Sequence, residues 1–168
     1  MSRAFVKEPD GDESAGELQD LPLSPHANYV TPTGLAQLEA RLAALEAERK
    51  ALTVKSGDLA SRPALARLAR EIRYFEARIA SAILVDLAGQ PAGRAAFGAV
   101  VRVADEEDRR REFQIVGEDE AEPEHGKVSW VSPLARALQD AEVGDIVTWR
   151  RPSGDVELEI LEVRRPEG

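Results

Sequence analysis

Leu35, Leu38, Leu42, Leu45 and Leu52 recur at 3–4–3–7 spacing, with Arg49 in the one missing seam position. Ala, Glu, Gln, Arg and Lys fill the intervals, and all of them favour helix. After a break at Gly57 the pattern resumes: Leu65, Leu68, Ile72, Phe75, Ile79 and Ala82 follow 3–4–3–4–3. Both runs are heptad seams of the kind that pack as coiled coils. Gly34–Ser56 and Pro63–Val85 each contain 23 residues, roughly 35 Å of helix at about 1.5 Å per residue. Equal arms joined by a short break predict an antiparallel helical hairpin.

Local chemistry marks the boundaries. The Thr33 hydroxyl can cap the first helix by accepting an orphan amide of its opening turn. Gly57 tolerates the left-handed backbone on which helices end. Ser61 can cap the return helix, with Pro63 in a first turn where a missing amide costs little.

The helical period stops at Gly89-Gln90-Pro91-Ala92-Gly93, and β-type segments follow. Phe97–Val103 leads through an acidic turn, Asp105–Asp108, into Glu112–Val116, and Lys127–Val131 is a third short strand. Ser132 then caps a short helix that has Pro133 at its first position and continues to Leu138. Ile146–Arg150, a turn at Pro152-Ser153-Gly154-Asp155, and Val156–Val163 form a terminal hairpin. Leu161 falls out of phase with Val156, Leu158 and Ile160, which suggests a bulge or a strand end. Residues 1–30 show neither period; three prolines and many acids predict a disordered acidic tail. The fold class is therefore α+β, with a hairpin over 31–87 and a small β-rich domain with one short helix over 88–168.

Net charge is −9 and unevenly spread. Two basic residues face six acidic ones in 1–33, nine face seven in 34–86, and eleven face eighteen in 87–168. That balance disfavours direct duplex binding, which draws affinity from phosphate neutralisation. Nucleic acid is thus expected only through a protein partner. Cysteine is absent, which removes thiolate chemistry and disulfides. No apolar run is long enough to span a membrane and no leader opens the chain, so a cytoplasmic protein without membrane contact is expected. His26 and His125 lack metal-ligand spacing. Trp130 and Trp149 read as strand residues packed in the core. Charged loops at Asp105–Asp108 and Glu118–Glu124 could serve as cation sites, but such loops are more often solvated.

One stretch is more specific. Val128-Ser129-Trp130-Val131-Ser132-Pro133-Leu134-Ala135-Arg136-Ala137-Leu138, followed by Val143-Gly144-Asp145, resembles the C-terminal signature of the GreA/GreB family of bacterial transcription elongation factors. Phe97-Gly98-Ala99, Ile115-Val116-Gly117-Glu118-Asp119-Glu120-Ala121, Pro152-Ser153-Gly154-Asp155-Val156 and Thr31-Pro32-Thr33-Gly34 support it. The resemblance covers about residues 29–165. It implies an FKBP-like C-terminal domain docked on the rim of the RNA polymerase secondary channel. The hairpin would be inserted towards the active centre, where tip carboxylates help hold a shared Mg²⁺; no cofactor of the chain's own is implied. The partner-binding residues it implies are Ser129, Ser132, Pro133, Leu134 and Arg136. FKBP-like topology does not itself imply isomerase activity, and the sequence carries no signature of an aromatic-lined pocket.

The tip departs from the family. Where the family reads Gly-Asp-Leu-x-Glu-Asn-Ala-Glu-Tyr, this chain has Gly57-Asp58-Leu59-Ala60-Ser61-Arg62-Pro63-Ala64-Leu65. Asp58, the one candidate catalytic residue, keeps the first acid. Ser61 stands in place of the essential Glu, and Arg62 adds positive charge where an Mg²⁺ needs anionic oxygens. Each arm is also about one heptad shorter, roughly 10 Å, than in cleavage-competent members. The expected protein is a monomer that binds polymerase and regulates elongation with weak or no transcript cleavage, and no enzyme in its own right. The rival readings are an active cleavage factor and a coiled-coil interaction module.

Overall fold

The computed structural model describes residues 18–55 and 59–166. Gly57 and Asp58, the expected helix stop and candidate acid, lie outside the described residues. Contacts divide the chain into two compact units, one holding residues 18–23 and 41–77, the other residues 24–40 and 78 onward.

The first unit is the body of the hairpin. Helix α1 spans Pro32–Lys55, a 3-10 turn covers Leu59–Ser61, and helix α2 spans Arg62–Ser81. Leu45, Leu68 and Ile72 are buried, and Leu42, Leu52 and Phe75 pack around them. These are the seam positions of both heptad runs. Arg41 pairs with Glu71 at 3.5 Å and Glu48 with Arg67 at 3.8 Å. Partner numbers that run in opposite directions define antiparallel arms. Both pairs are exposed and add little; burial of the seam carries the stability. Near the tip, Val54 and Leu59 are exposed.

The helix ends differ from expectation. Thr31, not Thr33, caps α1: its Oγ1 accepts from the Gly34 amide at 2.9 Å. Pro32 then occupies the first helical position, where a proline has no amide to lose. At the other end α2 stops at Ser81 rather than running to Val85. The Asn28 side-chain amide donates to the Arg78 carbonyl at 2.7 Å, taking an acceptor that a longer helix would use. The Ala82 amide turns to the Ile79 carbonyl instead, at 3.2 Å. The chain then leaves the helix as an extended segment.

That segment pairs with residues assigned to the disordered tail. Strand β1, Tyr29–Val30, lies parallel to strand β2, Ile83–Leu84. Asn28 and Val30 are buried, and upstream Asp20 accepts from Arg73 at 2.6 Å. The boundary drawn at residue 30 is therefore too late. A two-residue strand has no periodicity to detect, which is why the pattern misses it.

The rest of the second unit is a mixed sheet. Its strands are β3 (Val100–Ala104), β4 (Arg110–Val116), β5 (Lys127–Ser129), β6 (Ile146–Trp149) and β7 (Val156–Arg164), in the order β5-β4-β3-β7-β6. Only the β4–β5 pair is parallel within this sheet. Helix α3, Pro133–Leu138, has its Leu134, Ala135 and Leu138 in one core with Val101, Val103, Phe113, Ile115, Leu158 and Ile160. The opposite sheet face is charged, with Arg102 2.9 Å from Glu162 and Arg164 2.6 Å from Glu112. Arg102 pairs with Glu162 across the β3–β7 ladder but Val103 pairs with Ile160. Leu161 is thus the extra residue of a bulge, as its phase predicts. No helix among the described residues is long and apolar enough to cross a membrane.

Leu68→Ala should cost the hairpin about 2–5 kcal/mol, the usual range for a fully buried leucine. Arg67→Ala should stay within about 0.5 kcal/mol. Urea unfolding followed by helical circular dichroism separates the two.

Candidate docking site

The signature residues converge at the start of α3. Ser132 is an N-cap whose Oγ accepts from the Ala135 amide at 3.2 Å, and Pro133 takes the first helical position. The Ser132 amide donates to the Ser129 carbonyl at 2.9 Å, and the Ser129 hydroxyl accepts from the Val131 amide at 3.3 Å. Both serines are therefore engaged in shaping the turn between β5 and α3. Pro133 and Arg136 are exposed. Leu134 is not: at 4 % exposure it belongs to the core. It cannot present its side chain to a partner, because the i, i+1 and i+4 pattern of a short amphipathic helix turns it inward. Its role is to hold α3 on the sheet so that its neighbours face out.

Three aromatic rings extend this surface. The Trp130 ring meets Tyr29 edge-on with centroids 5.0 Å apart, and Tyr29 leans on Phe97 at 6.0 Å. His26 also meets Trp130 edge-on at 6.1 Å. Tyr29, Phe97 and Trp130, with Gln90, Arg136 and Gln139, line a cleft of about 350 Å³. Trp130 is thus only partly buried, and an aromatic-lined pocket is present that the spacing of its residues along the chain does not reveal. Sequence reasoning missed Tyr29, Phe97, Gln90 and Gln139 because they come from four separated segments. The signal available was the cluster of aromatics flanking each recognised motif.

Beneath the surface, buried polar groups fix the segments that carry it. The Arg78 side chain is 4 % exposed; its Nε donates to Asp119 at 2.6 Å and its Nη2 to the Asn28 side-chain oxygen at 2.7 Å. Glu118 lies 3.9 Å from the same guanidinium. Thr31 donates to Glu120 Oε2 at 2.6 Å, and Lys127 approaches Glu120 Oε1 at 3.5 Å. Residues 118–120, expected to be a solvated loop, are therefore structural carboxylates. Two glycines permit the close fit. A Cβ on Gly34 would lie 2.7 Å from Glu120 Oε2, and one on Gly117 would lie 2.3 Å from the Tyr29 carbonyl oxygen.

The described residues of the candidate tip, from Leu59 to Arg62, supply no anionic oxygen for Mg²⁺. Among its described residues, Ser61 ends the 3-10 turn and Arg62 opens α2. They contribute a neutral hydroxyl and a cation, whereas this metal takes anionic oxygens.

Comparison with known proteins bears on what this surface serves. Residues 90–165 match the family model for the C-terminal part of GreA/GreB transcription elongation factors. The chain is 35 % identical over 151 residues to the transcription elongation factor GreA of Thioalkalivibrio sulfidiphilus, covering 80 % of this chain and 96 % of that one. It is 33 % identical over 151 residues to GreB of Neisseria meningitidis, covering 81 % and 93 %. To GreA of Pseudomonas aeruginosa it is 46 % identical over 95 residues; that match spans 55 % of this chain and 60 % of the relative.

Arg78→Met should destabilise the second unit by about 3–5 kcal/mol, because it strands carboxylates beside an uncharged side chain. Both tryptophans lie in that unit, so urea unfolding followed by tryptophan fluorescence measures the loss.

Proposed function

This chain belongs to the GreA/GreB family of transcription elongation factors, and from that premise we propose that it binds bacterial RNA polymerase at the secondary-channel rim and regulates elongation with weak or no transcript cleavage. The observation that carries the proposal is the surface around the family signature. Pro133 and Arg136 are exposed on a helix whose other side is locked in the core, beside an aromatic cleft. A partly buried aromatic set with one arginine at its rim is the composition of an interface hot spot. Ser129 and Ser132 hold the turn, Pro133 and Arg136 supply the contact, and Leu134 supports them from below.

The chemistry of the tip motivates the second half of the proposal. Cleavage would rest on Asp58 without the glutamate that Ser61 replaces, and Arg62 would oppose an incoming cation. The factor then acts by occupying the channel, reaches duplex nucleic acid only through the polymerase, and works as a cytoplasmic monomer. The hairpin seam closes on itself, with Leu45, Leu68 and Ile72 buried, which leaves little apolar stripe for a second coiled coil.

Arg136→Glu should weaken binding to core polymerase at least tenfold, about 1.4 kcal/mol, while leaving the thermal transition unchanged. Unaltered binding would sink the docking assignment. In stalled elongation complexes, the wild-type factor should release no short 3′ RNA fragments above the factor-free rate. Release that disappears in Asp58→Ala would establish the active-cleavage reading instead.

A further inference from the structure

The sheet has a second cleft, on its apolar face and away from the family signature. Strand pairing sets Arg111 opposite Val103, Phe113 opposite Val101 and Trp149 opposite Val156. Side chains alternate along strands, so Arg111 shares a face with Phe113 and Ile115, and Trp149 shares one with Val156 and Leu158. This is the face on which α3 packs. The helix has only six residues, about 9 Å of length, and does not cover the whole of it. The open part is a cleft of about 300 Å³ lined by Asp105, Arg109, Arg111, Phe113, Trp149, Arg151, Val156 and Leu158. That size lies at the lower end of small-ligand sites.

Phe113 and Leu158 belong to the buried core and form the floor. The Arg111 guanidinium lies 5.0 Å from the Phe113 ring centre and 6.0 Å from that of Trp149; Arg151 lies 5.1 Å from Trp149. Two cations thus share one indole. Elsewhere on this sheet Arg102 and Arg164 are paired with glutamates. Among the described residues, no carboxylate comes within ion-pair distance of Arg111 or Arg151. Arg151 gives its Nε to the Gly154 carbonyl at 3.2 Å, which leaves its terminal amines. The other charged groups of the cleft are occupied with each other. Asp105 takes the Arg109 backbone amide and guanidinium at 2.9 and 2.8 Å, and those bonds hold its carboxyl below the usual range.

We propose that this cleft binds a nucleotide unit, its base stacked on Trp149 or on the guanidinium plane beside it, and its phosphate held by Arg111 and Arg151. Each part of the ligand answers a part of the site. An aromatic floor with a half-buried indole takes a planar, sequence-independent body. Arginine forks take the phosphate through paired N–H donors, and the guanidinium plane can also stack. An acidic peptide would satisfy the cations but offers no planar group to the floor. A duplex would conceal its bases from Trp149, and the net charge of −9 opposes it. A single strand, or a free nucleotide, has neither defect. The site is separate from the α3 surface and does not depend on polymerase docking.

The two tryptophans supply two indole N–H signals in a ¹⁵N-correlated spectrum of the full chain, one in the cleft and one at Trp130 as internal control. A hexauridylate RNA is titrated, with UMP, hexaglutamate and inorganic phosphate in parallel. The Trp149 signal should move saturably with RNA while the Trp130 signal stays. For one neutralised phosphate the apparent Kd should rise about two- to threefold between 50 and 200 mM salt. Arg111→Gln with Arg151→Gln should weaken binding at least tenfold, with the Trp130 signal reporting an intact fold. Binding of RNA alone assigns the cleft to a strand, and equal binding of UMP assigns it to a free nucleotide. A Trp149 signal unmoved by either, moved as readily by hexaglutamate or phosphate, or moved equally in the double variant overturns the proposal.

Discussion

The buried guanidinium of Arg78 is the constraint from which the rest of the second unit follows. It sits at the last turn of α2, where a long cation would ordinarily extend into solvent. Here it is 4 % exposed and bonded to Asn28 and Asp119. A charge so placed is tolerable only when paired and hydrogen-bonded. The partners come from both sides of the hairpin sequence, Asn28 before α1 and Asp119 after β4. Asn28 returns a bond to the Arg78 carbonyl, so the residue that satisfies the charge also stops the helix. The pairing of β1 with β2 and the capping of α1 by Thr31 take place within a few residues of that contact.

Much of this architecture was legible in the chain and some was not, for identifiable reasons. The hairpin seam was legible because five leucines and a matching return run keep one period over about five turns, and Leu45, Leu68 and Ile72 are buried as the period requires. The Leu161 bulge could be read from one residue out of alternation. The α3 cap was legible from Ser132-Pro133 alone, since that pair has a local mechanism. What failed was everything decided by distant partners. Thr31 and Thr33 are equivalent candidates by composition; Pro32 and the contact of Thr31 with Glu120 decide between them. Ile83–Leu84 continue the helical pattern, and only the neighbouring Tyr29–Val30 draws them into a strand. Acids at 118–120 look solvated until Arg78, Thr31 and Lys127 are found beside them.

The candidate site was half legible for the same reason. A signature read as one contact surface divides on folding: Leu134 turns to the core, both serines are spent on the turn, and Pro133 and Arg136 face out. The sequence motif therefore mixes residues that build the platform with residues that stand on it. On the proposed docking, substituting the first kind would alter binding through stability, and substituting the second would alter binding alone. Tyr29, Phe97 and Trp130 belong to the platform's edge, yet nothing in their spacing along the chain relates them.

The two faces of the sheet show how an acidic chain can still present a cationic site. On one face Arg102 and Arg164 are neutralised by glutamates across the ladder, so their charge is invisible beyond a few ångströms. On the other, Arg109 takes the carboxylate of Asp105, and Arg111 and Arg151 rest on aromatic rings instead. A ring quadrupole attracts a cation without cancelling its charge. The field at that cleft is therefore more positive than the net charge of −9 would suggest, because screening limits distant acids to about 8–10 Å of influence. Net charge decides which large polyanions approach the whole molecule. Local pairing decides what a single cleft can hold, and here the sheet alternation sets that pairing.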